Sequence, residues 1–164
     1  MVTAIDPGAA NIEAAKRHAA ASGLAIDYRQ AFAENLVSDS ARFDIVLALE
    51  VVEHVADVDA FVGACSALMA PGGMLVMATL NRTLKSYALA IVGAEYVMGW
   101  LPRGTHDWRK FLRPSELANA IAKSGAKASD MSGVVYNPLN QQWRLAADSD
   151  VNYMITAEKP AAKS

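Results

Sequence analysis

The segment Phe43-Asp44-Ile45-Val46-Leu47-Ala48-Leu49 constrains this chain more than any other. Its apolar residues are too continuous for an amphipathic helix, and the run reads as a strand buried on both faces. The segment 57–69 is helical, because Val58, Phe61, Val62, Cys65, Leu68 and Met69 recur there at helical spacing. Pro71-Gly72-Gly73 then stops that helix ahead of a second apolar strand over 74–79. Strand, helix, strand implies an α/β fold, a parallel sheet with right-handed crossovers and helices on both faces. Function in such a sheet sits at the carboxyl ends of the strands.

The same rhythm opens the chain. Val2 to Ile5 reads as a short strand ended by Asp6-Pro7-Gly8, and Asn11 as the cap of an alanine-rich helix that runs to Ser22-Gly23. A second short strand is expected over 25–29, a brief helical or loop segment over 32–37, and a helix from Pro114 to Ser124-Gly125. Residues 133–136 and 151–157 are expected as two terminal strands joined by a long hairpin-like connection. With 164 residues, 53% hydrophobic and 20% charged, the chain has enough apolar surface for one domain and too much for a disordered tail. Cys65 is the single cysteine, which points to a reducing compartment and excludes a cysteine zinc cluster. The start has no secretion-signal pattern, and the apolar stretch 87–101 falls short of the roughly 20 residues that span a bilayer, so an intracellular, non-spanning protein is expected.

Three places offer chemistry. Asp6 ends the first strand, where a carboxylate accepts hydrogen bonds from the ribose hydroxyls of a bound nucleoside, or else serves as an ordinary turn residue before a helix. Glu50, Glu53 and His54 come directly after the most apolar strand. If that segment is helical they share one face at i, i+3 and i+4, an oxygen and nitrogen set suited to Mg²⁺, Mn²⁺ or Zn²⁺. The alternative is that the glutamates favour a helix N-terminus while His54 is a partly buried polar residue. His106-Asp107 is either an acid-base pair or an ordinary loop pair, and His18 is expected on a solvated helix face. Charge is uneven as well: residues 82–113 hold six basic and two acidic side chains, against nine and fifteen elsewhere. Such a segment is either a contact for an anionic partner, lipid headgroups for example, or a solvated face.

Taken together, VTAIDPG, FDIVLALEVVEHV, LMAPGGMLVMATLNR, VGAEYVMGWLPRGTHDW and VNYM resemble the ubiquinone biosynthesis O-methyltransferases, a class I S-adenosylmethionine-dependent family. The resemblance implies a Rossmann-like sheet of order 3-2-1-4-5-7-6. It also implies that the family's first strand and Gly-rich loop, with the helical region ahead of them, would precede Val2. A chain beginning at Met1 is then an N-terminally truncated, partial domain over 1–164 with an insertion over 81–113, and weak affinity for S-adenosylmethionine is expected of it. Asp6 would hold the ribose of S-adenosylmethionine, and Leu49 would lie against its adenosyl portion. Glu50, Glu53 and His54 match the family's divalent-metal motif, with Mg²⁺ as the expected ion and His54 as general base where no metal binds.

The implied substrates are polyprenyl phenols and catechols of the 2-polyprenyl-6-hydroxyphenol and 3-demethylubiquinol type. The implied location is the cytoplasmic face of the inner membrane, where 81–113 meets anionic lipid beside other ubiquinone biosynthesis proteins. Two further readings are a metal-dependent RNA 2′-O-methyltransferase and a non-catalytic lipid-binding remnant. A net charge of −2 and the lack of aromatic residues interleaved with basic ones across the site of Glu50, Glu53 and His54 argue against nucleic acid.

Overall fold

The computed structural model of the protein describes residues 1–89, 107–137 and 140–161. The chain divides into two compact units, Met1–Ala41 and Arg42–Ser164. In the first, β1 (Val2–Asp6) pairs in parallel with β2 (Ile26–Gln30), from Val2 opposite Ile26 to Asp6 opposite Gln30. The connection is α1 (Ala9–Ala21), which buries Ile12 and Ala19. Gly8, not Asn11, is its N-cap; Asn11 lies inside the first turn and turns its amide back to Asp6. Gly23, in the left-handed region at φ 66°, lets the chain leave the helix as expected. A short helix, α2 (Ala33–Ser38), closes the unit.

The second unit is built on a five-stranded sheet of order β3-β4-β7-β5-β6. Its strands are β3 (Phe43–Leu49), β4 (Met69–Leu80), β5 (Lys127–Asn137), β6 (Gln142–Ala146) and β7 (Asn152–Glu158). β3 and β4 are parallel, whereas β7 runs antiparallel to both of its neighbours, so the sheet is mixed. The two sheets carry the expected order in two runs, β1-β2 and then β3-β4-β7-β5, with β6 added at the far edge. β6 was not expected; it occupies the stretch read as a connection and forms an antiparallel hairpin with β5.

Helices α3 (Val58–Leu68) and α5 (Pro114–Lys123) supply the cover for one sheet face. Asp57 caps α3 by accepting the Ala60 N–H at 2.9 Å, and Pro114 sits in the first turn of α5, where its missing N–H costs nothing. The core gathers Ala48, Leu75, Met77, Tyr153 and Ile155 from the sheet against Val62, Cys65, Leu117 and Ile121 from the helices. A single helical turn, α4 (Leu84–Ser86), comes after β4.

Two expectations are corrected here. Pro71-Gly72-Gly73 is not a gap before a strand but a bulge within β4, since Phe43 pairs with Met69 and Ile45 already with Met74. Gly73 is required there: a Cβ would lie 2.9 Å from the Ala70 carbonyl oxygen and 3.0 Å from that of Asp44. Likewise β3 is not buried on both faces. Val46 and Ala48 face the helices, while Ile45, Leu47 and Leu49 are 60%, 62% and 46% exposed on an edge strand.

Candidate functional site

The carboxyl ends of β3 and β4 meet β7 at an acidic pair. β3 ends at Leu49, and the next residue, Glu50, takes a left-handed backbone with φ 54°, unusual for a side chain of this kind. Its N–H donates to the Ala78 carbonyl at 2.9 Å, which holds the turn against β4. Val52–His54 then form a 3-10 turn. The segment is therefore not an α-helix, and Glu50 lies outside the turn. Glu50 and Glu53 come together across this turn, whereas His54 is exposed, and among the described residues no three His, Cys, Asp or Glu side chains gather. The shared face expected for 50, 53 and 54 is not formed.

Glu53 is only 3% exposed. Its Oε2 accepts from the Thr79 hydroxyl at 2.8 Å, and its Oε1 is buried with no hydrogen-bond partner. Glu50 reaches solvent as a residue, but its carboxyl end packs toward Glu53 and Asn152. Loss of water around that group, then the charge of Glu53, push it up to about 7, and a hydrogen bond from Asn152 pulls the other way. Two facing carboxyl groups with one orphaned oxygen call for a shared proton or a cation. Tyr153, fully buried behind the pair, donates its hydroxyl to the Leu112 carbonyl at 3.0 Å, and burial together with the nearby glutamates pushes its pKa well up, so the hydroxyl stays neutral.

A groove of about 570 Å³ opens beside Glu53, lined also by Val58, Arg82, Phe111 and Glu116. Arg82 and Glu116 form an ion pair there. Lys85 pairs with Asp148 and Asp150, and Arg109 with Asp107, so three of the six basic residues of 82–113 already have acidic partners. Residues 90–106 of that segment, including His106, lie outside the described residues.

In the first unit, Asp6 behaves as a turn aspartate. Its Oδ1 accepts the Gly8 N–H at 2.7 Å and the Asn11 amide at 3.1 Å, while Oδ2 makes no hydrogen bond among the described residues. Leu49, at the end of β3, is 46% exposed. Sequence reasoning missed Thr79 and Asn152. Both sit where β4 and β7 end beside β3, and the position of Thr79 at the end of an expected strand was the available signal.

Residues 1–77 match the family described as "Methyltransferase domain". A protein of Methylocella silvestris named ubiquinone biosynthesis O-methyltransferase is 61% identical over 158 residues, covering 96% of this chain and 62% of its own length. One of the same name from Methylobacterium sp. strain 4-46 is 56% identical over 161 residues, covering 98% and 65%. The chain spans a little under two thirds of the length of these curated relatives. Solved structures share its fold. One is a SAM-dependent methyltransferase from Methanosarcina mazei, with TM-score 0.66 and 16% identity, covering 98% of this chain and 82% of that one. Another is magnesium protoporphyrin IX methyltransferase of Synechocystis PCC 6803, with TM-score 0.65 and 14% identity, covering 97% and 64%. The fold is shared with these two proteins, and the acidic pair lies at the ends of β3 and β4, where open α/β sheets bind their ligands.

One consequence is measurable without any ligand. Glu50 titrates near 7 when folded against an ordinary 4.5, so between these values the unfolded chain has lost the proton that the folded chain keeps. Stability from this group is complete below the lower value and is lost as pH rises through the higher one. Glu50→Gln removes the loss. In chelator, its melting temperature is expected to exceed that of the wild type at about pH 8 and to coincide with it at about pH 4.5. A difference independent of pH would contradict the assignment.

Proposed function

We propose that the protein carrying this chain transfers the methyl group of S-adenosylmethionine to a phenolic oxygen of polyprenyl phenols and catechols in ubiquinone biosynthesis, including 2-polyprenyl-6-hydroxyphenol and 3-demethylubiquinol type substrates. The observation that carries this reading is the 61% identity, over 96% of the chain, to a relative of that name. The acidic pair supports it.

S-adenosylmethionine would supply an electrophilic methyl group, and a divalent cation, Mg²⁺ in this reading, would supply a Lewis acid that lowers the pKa of a bound hydroxyl. The chain's own residues suit both. Asp6 keeps Oδ2 for a ribose hydroxyl, and Leu49 offers an exposed apolar surface for the adenosyl portion. Glu50 and Glu53 fit a cation through the orphaned Oε1 and the facing carboxyl group. His54 stands outside that pair. An aromatic hydroxyl with a pKa near 10 must give up its proton before its oxygen can attack, and we assign its removal to an imidazole nitrogen of His54. Burial keeps water away from Glu53, so its charge acts at full strength on what it meets.

A polyprenyl substrate is too apolar to arrive through water. We assign its admission to 81–113, where Leu84, Tyr87 and Leu89 are 82%, 46% and 53% exposed beside basic residues. In this reading the protein works at the cytoplasmic face of the inner membrane, on anionic lipid and near other enzymes of the same route. No helix of the described residues is long and apolar enough to cross a membrane.

The test compares acceptors with radiolabelled S-adenosylmethionine: a polyprenyl catechol in anionic vesicles against RNA. It uses this chain alone and this chain joined to the part of the Methylocella silvestris relative that it does not cover. Label is expected in the lipid and not in RNA. Label in RNA, or in neither acceptor with either protein, would sink the reading.

A further inference from the structure

We propose that Thr79 is a positioning residue for the acidic pair: by donating its hydroxyl to Oε2 of Glu53 it fixes that carboxylate, so that Oε1 is the oxygen left for a divalent cation. The inference rests on the cation reading given under Proposed function. Thr79 is fully buried on β4, and Glu53 is nearly so, so no water competes for their 2.8 Å hydrogen bond. A hydroxyl donating to a charged oxygen in such surroundings is strong and directional. The rotation of the Glu53 carboxyl group is thereby set by the sheet and not by the side chain's own torsional freedom.

Register makes the arrangement rigid. Ala78 pairs with Leu49 and holds the Glu50 N–H through its carbonyl; Thr79 is the next residue, and Leu80 after it pairs with Asn152, which hydrogen-bonds Glu50. Three consecutive residues of β4 thus fix both glutamates, one through a backbone turn, one through a side chain and one through the neighbouring strand. Buried Oε1 has no donor side chain beside it and the Glu50 carboxyl hydrogen-bonds Glu53, so two carboxyl groups face each other there, a contact that a shared proton or a divalent cation would relieve.

Outer residues that orient metal-binding side chains commonly change metal affinity about 10–100-fold when lost. The probe is Mn²⁺, titrated into the 164-residue chain and monitored by electron paramagnetic resonance, a readout independent of methyl transfer. Thr79→Val keeps the shape and loses the donor; its affinity is expected to fall about 10–100-fold with the circular dichroism spectrum unchanged. Thr79→Ser restores the donor and is expected to bind within about threefold of the wild type, which a purely structural role of the threonine would not predict. If the valine variant does not fold, Thr79→Ala gives the same comparison. Wild-type affinity in a folded variant lacking the hydroxyl overturns the positioning role alone. No Mn²⁺ binding by the wild type overturns the cation reading and this inference together.

Discussion

Glu53→Gln is expected to lower methyl transfer at least about 100-fold while the protein remains folded, because several kcal/mol of stabilisation at the reacting oxygen are lost with the charge. The substitution keeps the size of the side chain, and its amide oxygen still accepts from Thr79 at the position of Oε2. What disappears is the charge next to Glu50, the second cause of that group's raised titration. The Glu50 carboxyl is therefore expected to titrate lower in the variant. S-adenosylmethionine binding, measured by calorimetry, should be nearly unchanged, since the residues assigned to that ligand are Asp6 and Leu49. A variant that transfers methyl groups at the wild-type rate in added Mg²⁺ would remove Glu53 from the mechanism.

The largest loss of stability is expected from Leu117→Ala. Leu117 is fully buried on α5, inside the cluster that joins α5 to α3 and to the sheet. Removing its branched end leaves a cavity in a packed layer and should cost about 2–5 kcal/mol. In urea the midpoint should fall while the slope of the transition stays the same. Leu47→Ala is the control, as apolar in sequence but 62% exposed in the structure, and should shift stability by no more than about 0.5 kcal/mol. Equal losses at the two positions would contradict the one-sided core.

That contrast shows where the sequence was legible. The bounds of β3, α3 and α5 come from periodicity and from turn residues, since an apolar run, a helical repeat and a Gly after a helix are local signals. What covers a strand is not local. Ile45, Leu47 and Leu49 read as core by type and are exposed, because among the described residues of this unit the helices α3 and α5 pack on the other face. β6 escaped because Gln142–Ala146 is short and carries one charge and one amide among its five residues, and its pairing is supplied by β5.

The site divides in the same way. The i, i+3 spacing of Glu50 and Glu53 is legible in the sequence, but as one face of a helix that does not form. The left-handed backbone at Glu50 and the 3-10 geometry that leave His54 apart depend on how β3 is tied to β4. Thr79 and Asn152 are brought in by strand register over distances of 26 and more residues; the end of an expected strand marks Thr79, but nothing local in the sequence pairs it with Glu53.

Transfer of a methyl group to a phenolic oxygen, as proposed, leaves an aryl methyl ether that can be read in the product of one reaction. S-adenosylmethionine bearing a trideuterated methyl group is supplied with a polyprenyl catechol in anionic vesicles and Mg²⁺, using this chain joined to the remainder of its Methylocella silvestris relative. Nuclear magnetic resonance of the extracted lipid is expected to show the label in an aryl methyl ether, reduced by chelator and by Glu53→Gln. Label on a ring carbon, or an ether formed equally well by the Glu53→Gln protein, would contradict the account.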